Sequence, residues 1–260
     1  MTTKFASHRI LRTGLLLGWI ALVSSCQVVE KNEDWNNPLD PASASYKQSS
    51  LPSTKGSSTD TIPWNSAIAY GNLTDTRDGK SYRTVKIGTQ TWMAENLNYA
   101  GTSPRIGVCY DVYGVGKCAK YGRLYTWAEV MQGSNSSSAS PSKVKGLCPT
   151  GWHVPSDAEW TTMQSFVDAS NGRDATKLKS NGDWDDSGNG TDAYGFRALP
   201  AGARGSDGSS NGAGSDSYWW SSTELDATTA WNRYMINFIA FVYRKDLYKT
   251  CGLSLRCTQD

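Results

Sequence analysis

The sequence has very few of the residues on which most catalytic and metal sites depend. It contains two histidines and no CxxC motif in 260 residues. Histidine is the usual general base near neutral pH and the commonest metal ligand, so this scarcity disfavours both kinds of site. The formal net charge is only +2, and neither a basic, aromatic-interleaved stretch nor a GxxxxGK[ST] loop is present. We therefore expect no nucleic-acid partner.

A hydrophobic run long enough to span a membrane is also missing near the start of the chain. Residues 14–23 (GLLLGWIALV) form an apolar run of ten residues after three basic ones, whereas a transmembrane helix needs about 20. This arrangement predicts a signal peptide over residues 1–25. The sequence VSSC at 23–26 resembles a bacterial lipobox, which predicts lipid attachment at Cys26. Ordinary cleavage beside an incidental cysteine is the alternative.

Residues 26–62 are predicted to be a lipid anchor followed by a flexible tether, because they lack an apolar period and are rich in serine and proline. Gln27 stands where many inner-membrane lipoproteins of Gram-negative bacteria have aspartate, which favours the outer membrane. The acidic residues Glu30, Glu33 and Asp34 resemble surface-export signals, although a solvated linker would have the same composition. We therefore expect an outer-membrane lipoprotein of the cell envelope, exposed on the surface, with the membrane as its partner through the lipid anchor.

Residues 63–260 are predicted to form one domain, since about 190 residues can bury a sizeable core. Apolar periodicity predicts a helix over 122–132, and the Ser156–Glu159 capping box (SDAE) predicts the start of a second helix. Strands are predicted on both sides of the Gly88-Thr89 turn and at 218–223, 230–237, 238–243 and 252–257, whereas 181–217 is predicted to be a long loop region. Two helices with small antiparallel sheets and long loops indicate the α+β class.

Five cysteines remain in this domain, and export permits disulfides. Cys109 and Cys118 enclose two glycines and are predicted to pair. Cys251 and Cys257 would stand about 20 Å apart on the predicted last strand, beyond the roughly 7 Å that a disulfide tolerates between Cα atoms. We therefore predict a Cys148–Cys257 bond, with Cys251 a free and buried thiol.

Six stretches of the domain resemble the Fibrobacter succinogenes major paralogous domain, a family of exported and lipid-anchored proteins. They are TVKIGTQTWMAENLNY (84–99), CAKYGRLYTWAEV (118–130), CPTGWHVPSDAEW (148–160), GTDAYGFRALPAGA (190–203), YWWSSTE (218–224) and LSLRC (253–257). The resemblance implies a fold like that of the C-type lectins and formylglycine-generating enzymes, in which a cysteine before Gly-Trp pairs with one near the last strand. It implies no particular activity.

The sequence lacks the motifs that usually identify either an enzyme or a calcium-dependent lectin with this kind of fold. Formylglycine-generating enzymes use two nearby thiols, but 224–250 contains no cysteine, and His153 between Trp152 and Val154 has the setting of a packed structural residue. Calcium-dependent lectins carry Glu-Pro-Asn or Gln-Pro-Asp and Trp-Asn-Asp, whereas this chain has Trp231-Asn232-Arg233. A divergent sulfatase-modifying enzyme therefore remains the alternative to a binding or adhesion module for a polysaccharide or an envelope protein, and we expect no catalytic residues.

Two groups of residues are candidate ligand sites. Hard oxygen ligands crowd around two glycines at Asp183, Asp185, Asp186, Asn189 and Asp192, which makes calcium a possible cofactor; a surface loop rich in Asx turns is the alternative. Trp219 and Trp220 would point to opposite faces of a strand, so we expect whichever is more exposed to be a sugar-stacking platform. Coverage of both rings by the long loop is the alternative.

Overall fold

The computed structural model describes residues 62–102, 105–112, 115–168 and 174–260. The predicted signal peptide, Cys26 and the tether up to residue 61 lie outside these residues. Within the described part of the chain, no helix combines the length and the apolar character needed to cross a bilayer.

Two five-stranded sheets form most of the domain. The strands are β1 Gly71–Thr74, β2 Ser81–Ile87, β3 Gln90–Met93, β4 Val108–Cys109, β5 Asp111–Val112, β6 Val115–Gly116, β7 Arg123–Leu124, β8 Trp152–His153, β9 Ala201–Arg204, β10 Ser210–Ala213, β11 Asp216–Glu224, β12 Thr229–Ile236, β13 Tyr243–Tyr248 and β14 Thr258–Gln259. One sheet has the order β1-β2-β3-β14-β8 and the other, the central sheet, has the order β10-β9-β11-β12-β13. Strands β4 and β7, and β5 and β6, make two small ribbons. With only short helices beside them, these sheets confirm the α+β class.

The helices are α1 Cys118–Tyr121, α2 Trp127–Met131 and α3 Asp157–Val167, with a 3-10 turn at Ala175–Lys177. The Ser156–Glu159 capping box that predicts α3 is present, with the Ser156 hydroxyl accepting from the Glu159 amide. The predicted helix over 122–132 is wrong in its first half. Leu124 pairs with Val108 in β7, and a second capping box at Thr126 and Glu129 starts the helix only at Trp127.

Two of the strand predictions and the loop prediction also differ from the structure. Residues 238–242 form a loop between β12 and β13, and the strand begins only at Tyr243. Residues 252–257 are extended but make only isolated bridges, at Gly252, Leu253 and Ser254, before β14. The predicted loop region 181–217 contains β9 and β10, whose small residues Ala, Gly and Ser weaken the sequence signal for a strand.

The central sheet separates two hydrophobic cores. Helix α3 packs on one face, where Trp160, Phe196 and Trp219 are fully buried. The other face packs on a second core that contains Tyr125, Trp220 and the Cys148–Cys257 disulfide. Because both faces of β11 are covered, its alternating side chains are buried on each side, as its burial from Ser217 to Ser222 shows.

A buried polar network ties the ends of the domain together. The Asn96 Oδ1 atom accepts hydrogen bonds from Trp219 Nε1 (2.9 Å) and Arg256 Nε (2.8 Å). Its Nδ2 atom donates to the Tyr121 carbonyl (2.9 Å). The Arg256 guanidinium, 1% exposed, also donates to the carbonyl of Phe196. Each of these interior groups is thereby satisfied, as a buried charge requires.

The structure contains the two predicted disulfides, Cys109–Cys118 and Cys148–Cys257. The prediction that Cys251 is a free thiol is wrong, because this residue is disulfide-bonded. Cys251 is fully buried, as its strand parity indicates, but burial of a sulfur atom does not prevent it from forming a bond.

Candidate functional site

Neither member of the Trp219-Trp220 pair can be a sugar-stacking platform, which corrects that prediction. Both side chains are 0% exposed. The Trp219 ring packs near Trp160 and Phe196, with centroids 6.2 and 5.9 Å away, and Trp220 Nε1 donates to the Tyr125 carbonyl at 2.8 Å. The prediction assumed that one face of β11 is open, whereas each face lies on a core.

The candidate calcium residues are bound into the fold individually. Asp183 forms an ion pair with Lys120, and Asn189 Oδ1 accepts from the Trp184 amide at 3.0 Å. Asp192 Oδ1 accepts from the Arg197 amide at 2.6 Å, while burial raises the pKa of Asp192 to about 6. Asn237 Nδ2 donates to the backbone carbonyl of Asp185 and to Asp186 Oδ2. Among the described residues, no three His, Cys, Asp or Glu side chains form a group that could hold a metal ion.

The side-chain ammonium group of Lys179 lies beside this loop. The backbone amide of Asp192 donates to the carbonyl of Lys179, whose side chain is 1% exposed. The Lys179 Nζ atom donates to the carbonyls of Ile236 (2.6 Å), Asn237 (2.9 Å) and Ile239 (3.0 Å). Carbonyl oxygens arranged in this way are also typical calcium ligands, and here an ammonium group occupies them.

His153 lies at the centre of a second polar cluster, beside a surface cavity of about 310 Å³ lined in part by Glu159, Thr258 and Asp260. Its Nδ1 atom is 2.8 Å from Asp260 Oδ1. Its Nε2 atom is 2.7 Å from both Thr258 Oγ1 and Glu159 Oε1. A hydroxyl, an imidazole and a carboxylate in this order resemble a nucleophilic triad.

The electrostatics of this cluster oppose that chemistry. Burial lowers the pKa of His153, but hydrogen bonds to Glu159 and then Asp260 outweigh burial and raise the pKa above its ordinary value. Each ring nitrogen faces a carboxylate oxygen, Nδ1 that of Asp260 and Nε2 that of Glu159. Two acceptors of this kind favour a ring that donates from both nitrogens over one that accepts the Thr258 proton, so the geometry favours the structural role that the sequence predicts for His153.

A surface with both aromatic and charged side chains lies on the outer part of the central sheet. Register pairs Trp231 with Asp246, Arg233 with Arg244 and Thr229 with Tyr248. Alternate residues of a strand share a face, so four side chains of β12 and β13 share the α3 side of the sheet. We call this group the β13 strip: Trp231, Arg244, Asp246 and Tyr248. Tyr248 is 51% exposed, the Arg244 side chain is 45% exposed, and the other two are half-buried.

Helix α3 holds the charged part of the β13 strip in place. Arg244 Nε lies 2.9 Å from both carboxylate oxygens of Asp157, and its guanidinium carbon is 3.4 Å from the centre of the Trp231 ring. The buried Arg233 side chain binds the same carboxylate, with Nη1 at 2.5 Å from Asp157 Oδ1. Burial acts to raise the pKa of Asp157, but the bonds to Arg244 and Arg233 lower it. One indole face is thus covered by a fixed cation.

Sequence reasoning missed this strip, although it noted that Trp231-Asn232-Arg233 departs from the lectin tripeptide. The structure explains the departure, because Arg233 is 1% exposed and attaches β12 to α3 through Asp157, Thr161 and Gln164. The signal that could have found the strip is the run of three charged residues, Arg244-Lys245-Asp246, within YRKDLY (243–248), since charged side chains are typical of an edge strand.

Comparison with known proteins gives one result. The family model described as the Fibrobacter succinogenes major domain matches residues 85–259, whereas neither curated proteins nor solved structures gave a match. The match includes every strand from β3 to β14, most residues of both cores and both described disulfides. Since it spans 175 of the 260 residues, the chain belongs to the Fibrobacter succinogenes major domain family.

Proposed function

We propose that this protein is a carbohydrate-binding module that a lipidated Cys26 displays on the surface of the outer membrane. Lipidation uses the Cys26 sulfur, so the proposal requires that Cys26 is not the disulfide partner of Cys251 in the mature protein. The β13 strip is the observation that carries the proposal. It places a cation, a carboxylate and the Tyr248 ring along about 14 Å of the edge strand β13, since Arg244 and Tyr248 are four steps of about 3.4 Å apart. The Trp231 ring lies beside them on β12.

The chemistry of the strip suits a sugar. Aromatic rings pack against the C–H groups of a pyranose, and planar charged groups bond its hydroxyls. The Tyr248 ring is available for packing, and Asp246 offers acceptor oxygens beside it. The two Asp157 bonds hold the Arg244 donors in one orientation, so little side-chain entropy would be lost on binding. An aromatic anchor beside a fixed arginine is also typical of residues that dominate binding energy.

We further propose a C-type-lectin-like fold that binds without calcium. The disulfide from Cys148, just before Gly151-Trp152, to Cys257 near the last strand supports the fold. The absence of a metal requirement is suggested by Lys179, whose ammonium group already occupies carbonyl oxygens next to the candidate calcium loop. The lack of a cysteine between residues 224 and 250 supports binding over the alternative of a sulfatase-modifying type of enzyme.

A glycan array tests the proposal. The full chain with Cys26→Ala would be applied with calcium and with a chelator, and the best ligand measured by calorimetry. We expect Trp231→Ala and Tyr248→Ala each to weaken binding about tenfold or more, which is about 1.4 kcal/mol, with no effect of the chelator. Phe166→Ala is the matched control, because Phe166 is 54% exposed near the opposite end of α3 from Asp157.

The same array can carry envelope proteins in parallel. If no glycan binds but an envelope protein does, the adhesion role stands and the sugar ligand is wrong. If a glycan binds equally well to the parent and to both strip variants, the β13 strip is not the site.

A further inference from the structure

Three surface cavities adjoin one another beside β8, an edge strand of the sheet that begins with β1. The middle cavity, of about 490 Å³, is lined in part by Pro141, Lys143, Lys145, Thr150, Trp152 and Asp260. It shares Asp260 with the cavity of about 310 Å³ near His153, and Lys145 with a third cavity of about 420 Å³. We call the three together the β8 groove. Since a cavity of about 300–1,000 Å³ usually holds one small ligand, a row of three has room for several units of a polymer.

The middle cavity combines a mostly apolar lining with two cations. The ring of Trp152, which is 6% exposed, and the exposed ring of Pro141 supply much of the apolar part. Lys143 and Lys145 are both exposed, and Lys145 Nζ donates to the Cys148 carbonyl at 3.1 Å. Among the described residues, no carboxylate forms an ion pair with either lysine. Both positive charges are therefore available to a ligand.

The other charged groups that line the groove are neutralised within the protein. Asp260 Oδ1 is 2.8 Å from His153 Nδ1. Burial lowers the pKa of His153, but hydrogen bonds to Glu159 and Asp260 outweigh burial and raise it. Arg77 lines the third cavity, and its guanidinium pairs with Asp75 at 2.7 Å. The remaining charge of the groove is thus positive, which favours an anionic ligand.

The backbone amides around β8 are already bonded within the protein. An extended peptide usually binds at a sheet edge by adding backbone hydrogen bonds to it. The amides of Trp152 and Val154 donate to the carbonyls of Pro149 and Val144, so this edge does not offer them to a peptide. A polysaccharide does not need them, because its hydroxyls can bond side chains and its ring C–H groups can pack on apolar surface. The groove therefore suits a sugar chain better than a polypeptide.

From these observations we propose that the β8 groove binds an acidic polysaccharide, one whose sugar rings carry carboxylate groups. The C–H groups of a ring pack on the apolar lining at Pro141 and Trp152, and its hydroxyls bond the Thr150 side chain. The carboxylates of the chain pair with Lys143 and Lys145. The groove shares no residue with the β13 strip, so this second site goes beyond the function proposed for the strip.

Calorimetry with polygalacturonate tests this proposal, with its fully methyl-esterified form as the uncharged match. We expect the full chain with Cys26→Ala, taken as the parent, to bind polygalacturonate and to bind the ester at least tenfold more weakly. Lys143→Gln/Lys145→Gln should weaken binding about fivefold or more, as expected for the loss of two exposed ion pairs. Thr150→Glu places a negative charge in the cavity at an exposed position and should act in the same direction.

Lys86→Gln/Lys117→Gln is the matched control, because it removes the same charge from two exposed lysines that do not line the groove. It should leave binding within about twofold of the parent, and thermal unfolding checks that each variant is folded. The proposal is overturned if the parent does not bind polygalacturonate, if the ester binds equally well, or if the groove variants bind like the parent. A control variant that weakens binding as much as the groove pair would also overturn it, since the attraction would then be unspecific.

Two further arms separate this site from its alternatives. Polyglutamate presents carboxylates on a polypeptide, and if it binds through Lys143 and Lys145 more tightly than polygalacturonate, the occupant is a protein and the proposal is wrong. Trp231→Ala/Tyr248→Ala should leave polygalacturonate binding unchanged. If these strip substitutions abolish it and the groove substitutions do not, the acidic chain binds at the β13 strip, which overturns the groove site and leaves the proposed function intact.

Discussion

Replacing Trp219 and Trp220 separately by alanine tests the central feature of the fold, a sheet buried on both faces. Each ring is 0% exposed, so each substitution should lower the free energy of unfolding by about 3–5 kcal/mol, the usual cost of removing a buried aromatic side chain. The two losses should add, because the rings lie on opposite faces and belong to different cores. Urea unfolding followed by far-UV circular dichroism measures both.

Trp231→Ala is the matched control on the neighbouring strand. Its ring is half-buried and stacks on Arg244, so its loss should cost only about 1 kcal/mol. Because domains of this size are stable by about 5–15 kcal/mol, an alanine variant could fail to fold. Trp219→Phe and Trp220→Phe then supply smaller steps of about 1–2 kcal/mol. If either alanine variant costs no more than the control, that ring is not in a core and the two-core description is wrong.

Three further predictions concern other parts of the chain. Because the pKa of His153 is raised in the folded state, the protonated ring stabilises the fold fully below pH 6.5, and this contribution is lost as the pH rises through the folded pKa. His153→Gln should therefore reduce the difference in the free energy of unfolding between pH 6 and pH 8, as measured by urea unfolding. An unchanged difference would contradict this role of His153. Cys148→Ser/Cys257→Ser should lower stability by about 4–5 kcal/mol, since the bond closes a 109-residue separation; a loss under 1 kcal/mol in non-reducing buffer would contradict this. Cys26→Ala should abolish metabolic labelling by palmitate, and continued labelling would exclude Cys26 as the lipid attachment site.

The elements that sequence predicts well are those whose local signals agree with their tertiary setting. The Ser156–Glu159 capping box gives the start of α3, and the Gly88-Thr89 turn correctly separates β2 from β3. The α+β class and the Cys109–Cys118 disulfide follow from similar local spacing, whereas Cys148–Cys257, with a sequence separation of 109, is predicted by excluding a Cys251–Cys257 bond. None of these predictions requires knowledge of which faces are covered.

The predictions that are wrong depended on what covers each face. Leu124 fits a helical period with Trp127, yet it pairs in β7 because Val108 is available to it. Phe166 fits the buried stripe of α3 and is 54% exposed. The apolar run from Phe238 has the composition of a buried strand, but Lys179, which is far away in sequence, binds its carbonyls and keeps it as a loop. Each outcome depends on a residue distant in the chain, which periodicity does not report.

The residues that carry the family resemblance lie mainly in the interior, whereas the candidate binding residues lie on the surface. Membership of the family therefore identifies a fold more readily than a ligand. Five of the stretches that carry the resemblance meet in the interior network, through Asn96, Tyr121, Phe196, Trp219 and Arg256. These residues hold the two sheets together. The β13 strip falls between 225 and 250, outside all six stretches. Residues on an exposed edge strand can change with little effect on stability. A chain built on the same interior network could therefore exchange the residues of its strip without losing its fold.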